Sequence, residues 1–141
     1  MTENEKRLTE LNEGRSSKIY TDTVGKTTVG VGHNLSDLGV SEAVIDLMLS
    51  EDHERARTDL LRVYPWATEL DPVRLAAFID LSFNLGIAKL SRFRNTIAAI
   101  KAKEWISVGK HLRQSLWYQQ VGKRGPRIIK MFETGVWPWS E

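Results

Sequence analysis

The stretch from Ser17 to Gly32 constrains the fold most, because its composition differs from that of the segments on either side. β-Branched and aromatic side chains, such as those of Tyr20 and Val29, are interspersed with glycines there. This composition is typical of two short strands, with the turn between them near Val24–Gly25. We therefore predict a small antiparallel β-hairpin in this part of the chain.

Two helices flank the predicted hairpin in the sequence. Before it, Thr2 and Glu5 have the spacing of a capping box, and the helix that they begin ends near Gly14. After it, Ser41 is a suitable N-cap for a long helix that reaches about Val63. Apolar residues recur in this second segment at helical spacing, and charged residues occupy its other side.

A third helix is predicted from Asp71 to Leu85, with Asp71 as the N-cap and Pro72 as the first helical residue. Its sequence is apolar nearly all round, which is typical of a helix that its neighbours bury. Shorter helices are predicted over Arg92–Lys101, Glu104–Gln114 and Pro126–Glu133. Four large aromatic residues are expected to fill the core, namely Trp105, Trp117, Phe132 and Trp137.

These elements predict a mostly helical α+β fold. The length of 141 residues is consistent with a single domain. A small antiparallel hairpin lobe comprises residues 13–40, and a connecting helix spans residues 41–63. The helical lobe combines residues 1–12 with residues 65–141.

Charge and cysteine content narrow the function classes. The 20 basic and 18 acidic residues leave a net charge of +2. That surplus is weak support for a nucleic-acid-binding domain, although it suits a polyanionic partner. The chain has no cysteine, so disulfides, thiol catalysis and cysteine-bound zinc are excluded.

Two carboxylates and a hydroxyl around the hairpin form the most informative pattern. Glu13 lies at the C-terminal end of the first helix, where the helix dipole disfavours negative charge and so favours the protonated acid. Asp22 stands at the turn, and Thr28 lies on the return strand, close enough to share a water molecule with it. Gly30 and Gly32 lack side chains, which allows a bulky ligand to approach that strand.

Glycoside hydrolases use a protonated carboxylic acid together with an ionised carboxylate. The acid protonates the leaving oxygen, while the carboxylate stabilises positive charge at the anomeric carbon and orients a water molecule. Spacing along the chain does not determine the distance between the two carboxyl groups, so both inversion and retention of configuration stay open at this point.

The stretch from Glu13 to His33 resembles the signature of phage lysozymes of the T-even bacteriophage type. The similarity continues from Asp71 to Trp137, most clearly in LAAFIDLSFNLG, SRFRNTIAAIKAKEW and SLWYQQ. The resemblance implies a lysozyme-like fold with an active-site cleft between the lobes. It implies that Glu13 is the catalytic acid, Asp22 the second carboxylate and Thr28 the residue that positions water. The implied reaction is inverting hydrolysis of the β-1,4 bond between N-acetylmuramic acid and N-acetylglucosamine, without a metal or other cofactor.

The resemblance also implies supporting roles for further residues. Contacts with the saccharide are implied for Asn34, Phe83, Thr96 and His111. Arg124 is implied to pair with the catalytic acid, and His33 to form a salt bridge with Asp52. The segment between His33 and the long helix is shorter than in the T-even phage form, so we expect the helix that normally caps that lobe to be absent.

Three alternatives remain beside an endolysin muramidase. A lytic transglycosylase uses a single Glu and forms a 1,6-anhydro product, which requires no attacking water. A non-catalytic wall-binding module does not need all three of Glu13, Asp22 and Thr28. A DNA-binding helical domain would agree with the pI of about 9.0, but the chain lacks a concentrated basic recognition helix.

The sequence also carries expectations about location and partners. Residues 1–14 are polar and charged and contain no apolar signal segment. No stretch approaches the ~18 consecutive apolar residues of a membrane span. We therefore expect synthesis in the host cytoplasm, no membrane insertion, and action on peptidoglycan in the periplasm or cell wall. A monomer that binds bacterial peptidoglycan and no nucleic acid is the expected form.

Overall fold

A computed structural model describes residues 1–140 of the chain. They divide into two compact units: unit 1 comprises Met1–Met48, and unit 2 begins at Leu49. The predicted grouping of residues 1–12 with the helical lobe concerns the arrangement of one unit against the other, and it stays a prediction.

Unit 1 contains the hairpin. Its elements are α1 (Glu3–Glu13), β1 (Ser16–Thr21), β2 (Thr27–Gly30), β3 (His33–Asn34), α2 (Leu35–Leu38) and the first residues of α3 (Glu42–Val63). The strands form an antiparallel sheet in the order β1-β2-β3. Tyr20 of β1 lies opposite Thr28, and Val29 lies opposite His33. The predicted hairpin is confirmed, and β3 extends it by a strand too short for a sequence pattern to reveal.

The segment between β3 and the long helix is short and contains a single turn of helix, α2, over Leu35–Leu38. The expected absence of the helix that normally caps this lobe stays a prediction. Asn34 makes the turn possible because its side-chain Oδ1 accepts a hydrogen bond from the Asp37 N–H at 3.0 Å, which caps the helix. Gly39 ends α2 with φ at +59°, a conformation that glycine adopts without steric cost.

The capping box that begins α1 is confirmed. The Thr2 hydroxyl accepts the Glu5 N–H at 3.2 Å, and the Glu5 carboxylate in return accepts the Thr2 N–H. These hydrogen bonds lower the pKa of Glu5. Ser41 likewise accepts the Val44 N–H at 3.3 Å ahead of α3.

The regular elements in the described part of unit 2 are all helices. After α3 come a 3₁₀ helix (Pro65–Glu69), α4 (Pro72–Leu85), α5 (Ile87–Leu90), α6 (Arg94–Lys101), α7 (Trp105–Arg113), α8 (Leu116–Gln120) and α9 (Arg124–Thr134). None of the helices among residues 1–140 is both long and apolar enough to cross a membrane. The helices of both units, together with the three-stranded sheet of unit 1, confirm the predicted mostly helical α+β class.

Helix α4 contributes heavily to the core of unit 2, as its apolar sequence predicts. The buried apolar side chains of α4 are Val73, Ala77, Phe78, Ile79 and Leu81. Trp117 and Phe132 are buried as predicted, while Trp105 and Trp137 pack against the core with part of their surface exposed. Helices α5 and α8 were not predicted, because four or five residues are too few to show helical periodicity.

Arg74 connects α4 with the helices around it. Its Nε donates to the Phe132 carbonyl at 2.7 Å, and its Nη1 donates to Asp71 at 3.2 Å. The guanidinium carbon lies 4.3 Å from the centre of the Trp105 ring. A planar group with several donors can make these contacts together, whereas an ammonium group cannot.

Arg74→Lys should therefore destabilise unit 2 although the charge is kept. We expect a loss of about 2 kcal/mol in the free energy of unfolding, because the Phe132 carbonyl loses its partner and the stacking on Trp105 is lost. Urea denaturation measures this change. Arg57→Lys is the control, since Arg57 of α3 takes part in no ion pair among residues 1–140. Equal stability of both variants would contradict the role of Arg74.

Candidate active site

Asp22 builds the hairpin turn with its own carboxylate. Its Oδ1 accepts the N–H of Val24 at 3.0 Å and the N–H of Lys26 at 2.8 Å. Its main-chain N–H donates to the Lys26 carbonyl at 2.9 Å. Aspartate commonly closes turns in this way. The carboxylate is consequently held at the turn by two amide donors.

Thr28 is tied to the same turn. Its side chain is 3% exposed, and its hydroxyl donates to the Lys26 carbonyl at 3.0 Å. The main-chain groups of Lys26 thus bond to both Asp22 and Thr28. Because the hydroxyl proton is used in this way, the oxygen of Thr28 is left to act as an acceptor.

Glu13 is the last residue of α1 and precedes the hairpin in the sequence. Its carboxyl group lies against Gly32, where an added Cβ would stand 2.7 Å from Oε2 and 2.8 Å from Cδ of Glu13. Gly32 also has φ at +65°. The backbone conformation therefore favours glycine at this position, and a side chain there would force the Glu13 carboxyl group to move.

The carboxyl groups of Glu13 and Asp22 take part in no ion pair among residues 1–140. The nearby cations pair elsewhere: Arg15 with Glu10 at 3.3 Å, and Lys26 with Asp37 at 3.1 Å. Glu13 is exposed and Asp22 is partly exposed. Both carboxyl groups can therefore face a ligand without first breaking a salt bridge.

The remaining predicted residues of unit 1 have structural partners. His33 Nε2 donates to the Gly39 carbonyl at 2.6 Å. Asn34 uses both polar atoms of its amide on Asp37, since Nδ2 donates to the carboxylate at 2.8 Å and Oδ1 caps α2. In unit 2, Asp52 accepts a hydrogen bond from Arg55 at 3.1 Å. The ion pair between His33 and Asp52 stays a prediction.

Two of the predicted saccharide contacts meet in unit 2. Thr96 of α6 and His111 of α7 line one cavity of about 630 Å³. Phe83 of α4 is 40% exposed and lines a separate hollow of about 370 Å³ that also includes Asp52. The structure thus brings Thr96 and His111 together and places Phe83 in a different depression.

Arg124 makes a bidentate ion pair with Asp80, a residue that sequence reasoning missed. Its Nε lies 2.8 Å from Oδ2 and its Nη2 lies 2.9 Å from Oδ1. The hydrogen bonds to Asp80 raise the pKa of Arg124. An acidic residue inside the otherwise apolar α4 was the available signal, because such a residue needs a partner. The pairing of Arg124 with Glu13 stays a prediction.

Comparisons with known proteins point in one direction. A family model described as phage lysozyme matches residues 10–130. Probable T4-type lysozyme 2 of Dictyostelium discoideum is 24% identical, covering 93% of this chain and 94% of that protein. Probable T4-type lysozyme 1 of the same organism is 23% identical with the same coverage.

A third relative is the pre-baseplate central spike protein Gp5 of Enterobacteria phage T4. It is 28% identical over 87% of this chain, although the matched part is 26% of that larger protein. The family match spans most of the chain, including Glu13 at the end of α1 and the hairpin that carries Asp22 and Thr28. On this basis, the chain belongs to the phage lysozyme family.

Proposed function

We propose that the protein is a muramidase that hydrolyses the β-1,4 bond between N-acetylmuramic acid and N-acetylglucosamine in bacterial peptidoglycan. The observation that carries this proposal is that the Asp22 carboxylate and the Thr28 hydroxyl both bond to the main chain of Lys26, the carboxylate through the N–H and the hydroxyl through the carbonyl. Membership in the phage lysozyme family and the names of the two Dictyostelium relatives support it.

Glu13 acts as the general acid in this proposal. Its proton passes to the bridging oxygen as the bond between that oxygen and the anomeric carbon breaks, which leaves a neutral hydroxyl on the departing sugar. Gly32 supports this role because the absent side chain leaves room for the carboxyl group beside the strand.

Asp22 and Thr28 hold the attacking water. Oδ1 of Asp22 already accepts two amide protons, so Oδ2 is the carboxylate oxygen left for the water. The Thr28 hydroxyl donates its hydrogen bond to the Lys26 carbonyl, and its oxygen can accept a hydrogen bond from the same water. Two acceptors engage both protons of the water and direct its lone pair towards the anomeric carbon.

As the oxygen of this water bonds to the anomeric carbon, one of its protons passes to the Asp22 carboxylate, which gives the hydrolysed product. The configuration inverts if the water approaches from the face opposite the leaving sugar. A lytic transglycosylase is the second candidate. Its nucleophile is a hydroxyl of the sugar itself, so its reaction does not need two acceptors that hold a water molecule. Product mass separates the two reactions, since an anhydro end is one water lighter than a hydrolysed end.

The biological setting follows from the substrate in this proposal. The enzyme is made in the host cytoplasm, reaches peptidoglycan in the periplasm or cell wall, and causes lysis by cutting glycan strands. Thr96 and His111 bind the glycan, and the enzyme works as a monomer without a cofactor.

Glu13→Gln tests the proposed acid. The amide has the shape of the carboxyl group but cannot donate a proton of comparable acidity, so we expect lytic activity to fall by at least about 10²-fold. Clearing of a peptidoglycan suspension measures the rate, and circular dichroism checks the fold. Near wild-type clearing by a folded Glu13→Gln protein would show that the assignment is wrong.

Substitutions at Asp22 separate its structural role from its chemical role. Asp22→Asn keeps Oδ1 as an acceptor for the amides of Val24 and Lys26, whereas Asp22→Ala removes it. Hydrogen exchange at these two amides should stay slow in Asp22→Asn and become faster in Asp22→Ala, while both variants lose most of their lytic activity. Full activity in Asp22→Asn would argue against a need for the anion.

Gly32→Ala and Gly30→Ala form a matched pair. Both glycines have positive φ, +65° and +70°, so alanine costs about 1 kcal/mol of stability at either position. A Cβ at Gly32 meets the Glu13 carboxyl group, whereas a Cβ at Gly30 meets nothing within 4 Å. We expect kcat to fall in Gly32→Ala well below that of Gly30→Ala. Equal kcat values would mean that the contact with Glu13 does not matter.

A further inference from the structure

The peptide group that joins Lys26 to Thr27 is hydrogen-bonded at both of its ends. Its carbonyl accepts the main-chain N–H of Asp22 at 2.9 Å and the hydroxyl of Thr28 at 3.0 Å. Its N–H, which belongs to Thr27, donates to the side-chain Oγ of Ser36 at 2.9 Å. One planar group therefore links the turn of the candidate active site to α2.

The sheet explains why a side chain bonds this N–H. The ladder between β2 and β3 ends at the pair Thr28–Asn34, because Asn34 caps α2 and the chain turns into that helix. Thr27 lies one residue beyond the last pair of this ladder. The hydroxyl of Ser36, within α2, takes the place of a strand carbonyl there.

Hydrogen bonds at both ends of α2 hold Ser36 in place. At the start, Asn34 accepts the N–H of Asp37 at 3.0 Å and donates to its carboxylate at 2.8 Å. At the end, the ring of His33 donates to the carbonyl of Gly39 at 2.6 Å. Because α2 is bonded to β3 before and after Ser36, the movement of this residue is limited.

An ion pair between Lys26 and Asp37 also joins the turn to α2, at 3.1 Å. The side chains are 43% and 52% exposed, and exposed ion pairs contribute little to stability. The pair involves only the end of a long side chain, so it does not fix the main chain. The hydrogen bond from the main chain to Ser36 is therefore the contact that restrains the peptide group.

The planarity of the peptide group carries this restraint to the active-site turn. In a planar group the direction of the N–H fixes the direction of the carbonyl. Without Ser36 on the N–H, rotation of the group would carry the carbonyl away from Thr28. The Thr28 hydroxyl would then be able to donate to a water molecule, whereas the proposed mechanism needs its oxygen as an acceptor.

We propose that Ser36 is a positioning residue for the hydrolytic water. Its hydroxyl holds the peptide group between Lys26 and Thr27 in the orientation that keeps the Thr28 oxygen available as an acceptor. The inference rests on the proposed function, because the water molecule is that of the proposed hydrolysis. Ser36 acts through this peptide group rather than on the substrate.

Two substitutions at Ser36 test the role of its hydroxyl. Ser36→Ala removes the acceptor, and Ser36→Thr keeps it, with room for the extra methyl group because Ser36 is exposed. Release of soluble saccharide from purified peptidoglycan gives kcat and KM for each protein. We expect kcat of Ser36→Ala to fall about tenfold with KM within about twofold of wild type, and Ser36→Thr to recover most of kcat.

Ser41→Ala is the matched control. Ser41 also belongs to unit 1, and its hydroxyl also accepts one main-chain N–H, that of Val44 at 3.3 Å. Because Ser41 lies outside the turn, we expect its substitution to lower stability without lowering kcat. Urea denaturation measures the stability of both alanine variants.

Hydrogen exchange at the Asp22 amide reports on the peptide group independently of activity, since this amide donates to the carbonyl of that group. We expect exchange at Asp22 to be at least about fivefold faster in Ser36→Ala and unchanged in Ser41→Ala. Wild-type exchange at this amide in Ser36→Ala would mean that the hydroxyl does not hold the peptide group, and it would overturn the inference.

The outcomes of the kinetic test separate this inference from the proposed function. Wild-type kcat in folded Ser36→Ala protein would overturn the inference, and so would an equal loss of kcat in Ser41→Ala. A loss that Ser36→Thr does not restore would also overturn it, since the hydroxyl would then not be the cause. A wild-type protein that releases no saccharide would instead overturn the proposed function, and exchange at Asp22 would still show whether Ser36 holds the peptide group.

Discussion

The main-chain groups of Lys26 hold together the turn on which the candidate active site depends. The carbonyl accepts from the Asp22 amide and from the Thr28 hydroxyl, and the N–H donates to the Asp22 carboxylate. Because the carboxylate and the hydroxyl are both bonded to one residue, the turn itself restricts their relative placement.

Side-chain ion pairs and hydrogen bonds join several helices of unit 2. Asp80 inside α4 and Arg124 of α9 form a bidentate pair, and Arg74 links its own helix to α7 and α9. These groups satisfy one another and hold helices together.

Sequence patterns predicted the long elements and missed the short ones for a physical reason. The capping residues Thr2, Ser41 and Asp71 predicted where their helices begin. A side-chain oxygen at a helix N-terminus accepts a hydrogen bond from a main-chain N–H of the first turn, and this local preference is the same in other proteins. Two residues of β3 and one turn of α2 carry no periodicity. Residue type, spacing and the resemblance to phage lysozymes led to Glu13, Asp22 and Thr28, and their catalytic roles stay a prediction. The anchoring role of Lys26 could not be predicted, because it resides in the backbone.

The backbone anchor at Lys26 has a consequence for how the family can diverge. Every amino acid possesses the carbonyl used there, and every one except proline possesses the N–H. Natural selection can therefore replace the lysine freely, for example to change the exposed pair with Asp37, without disturbing the chemistry of the turn. A column of an alignment at this position would look variable although its geometry is preserved, and proline is the substitution that we expect to be missing from it.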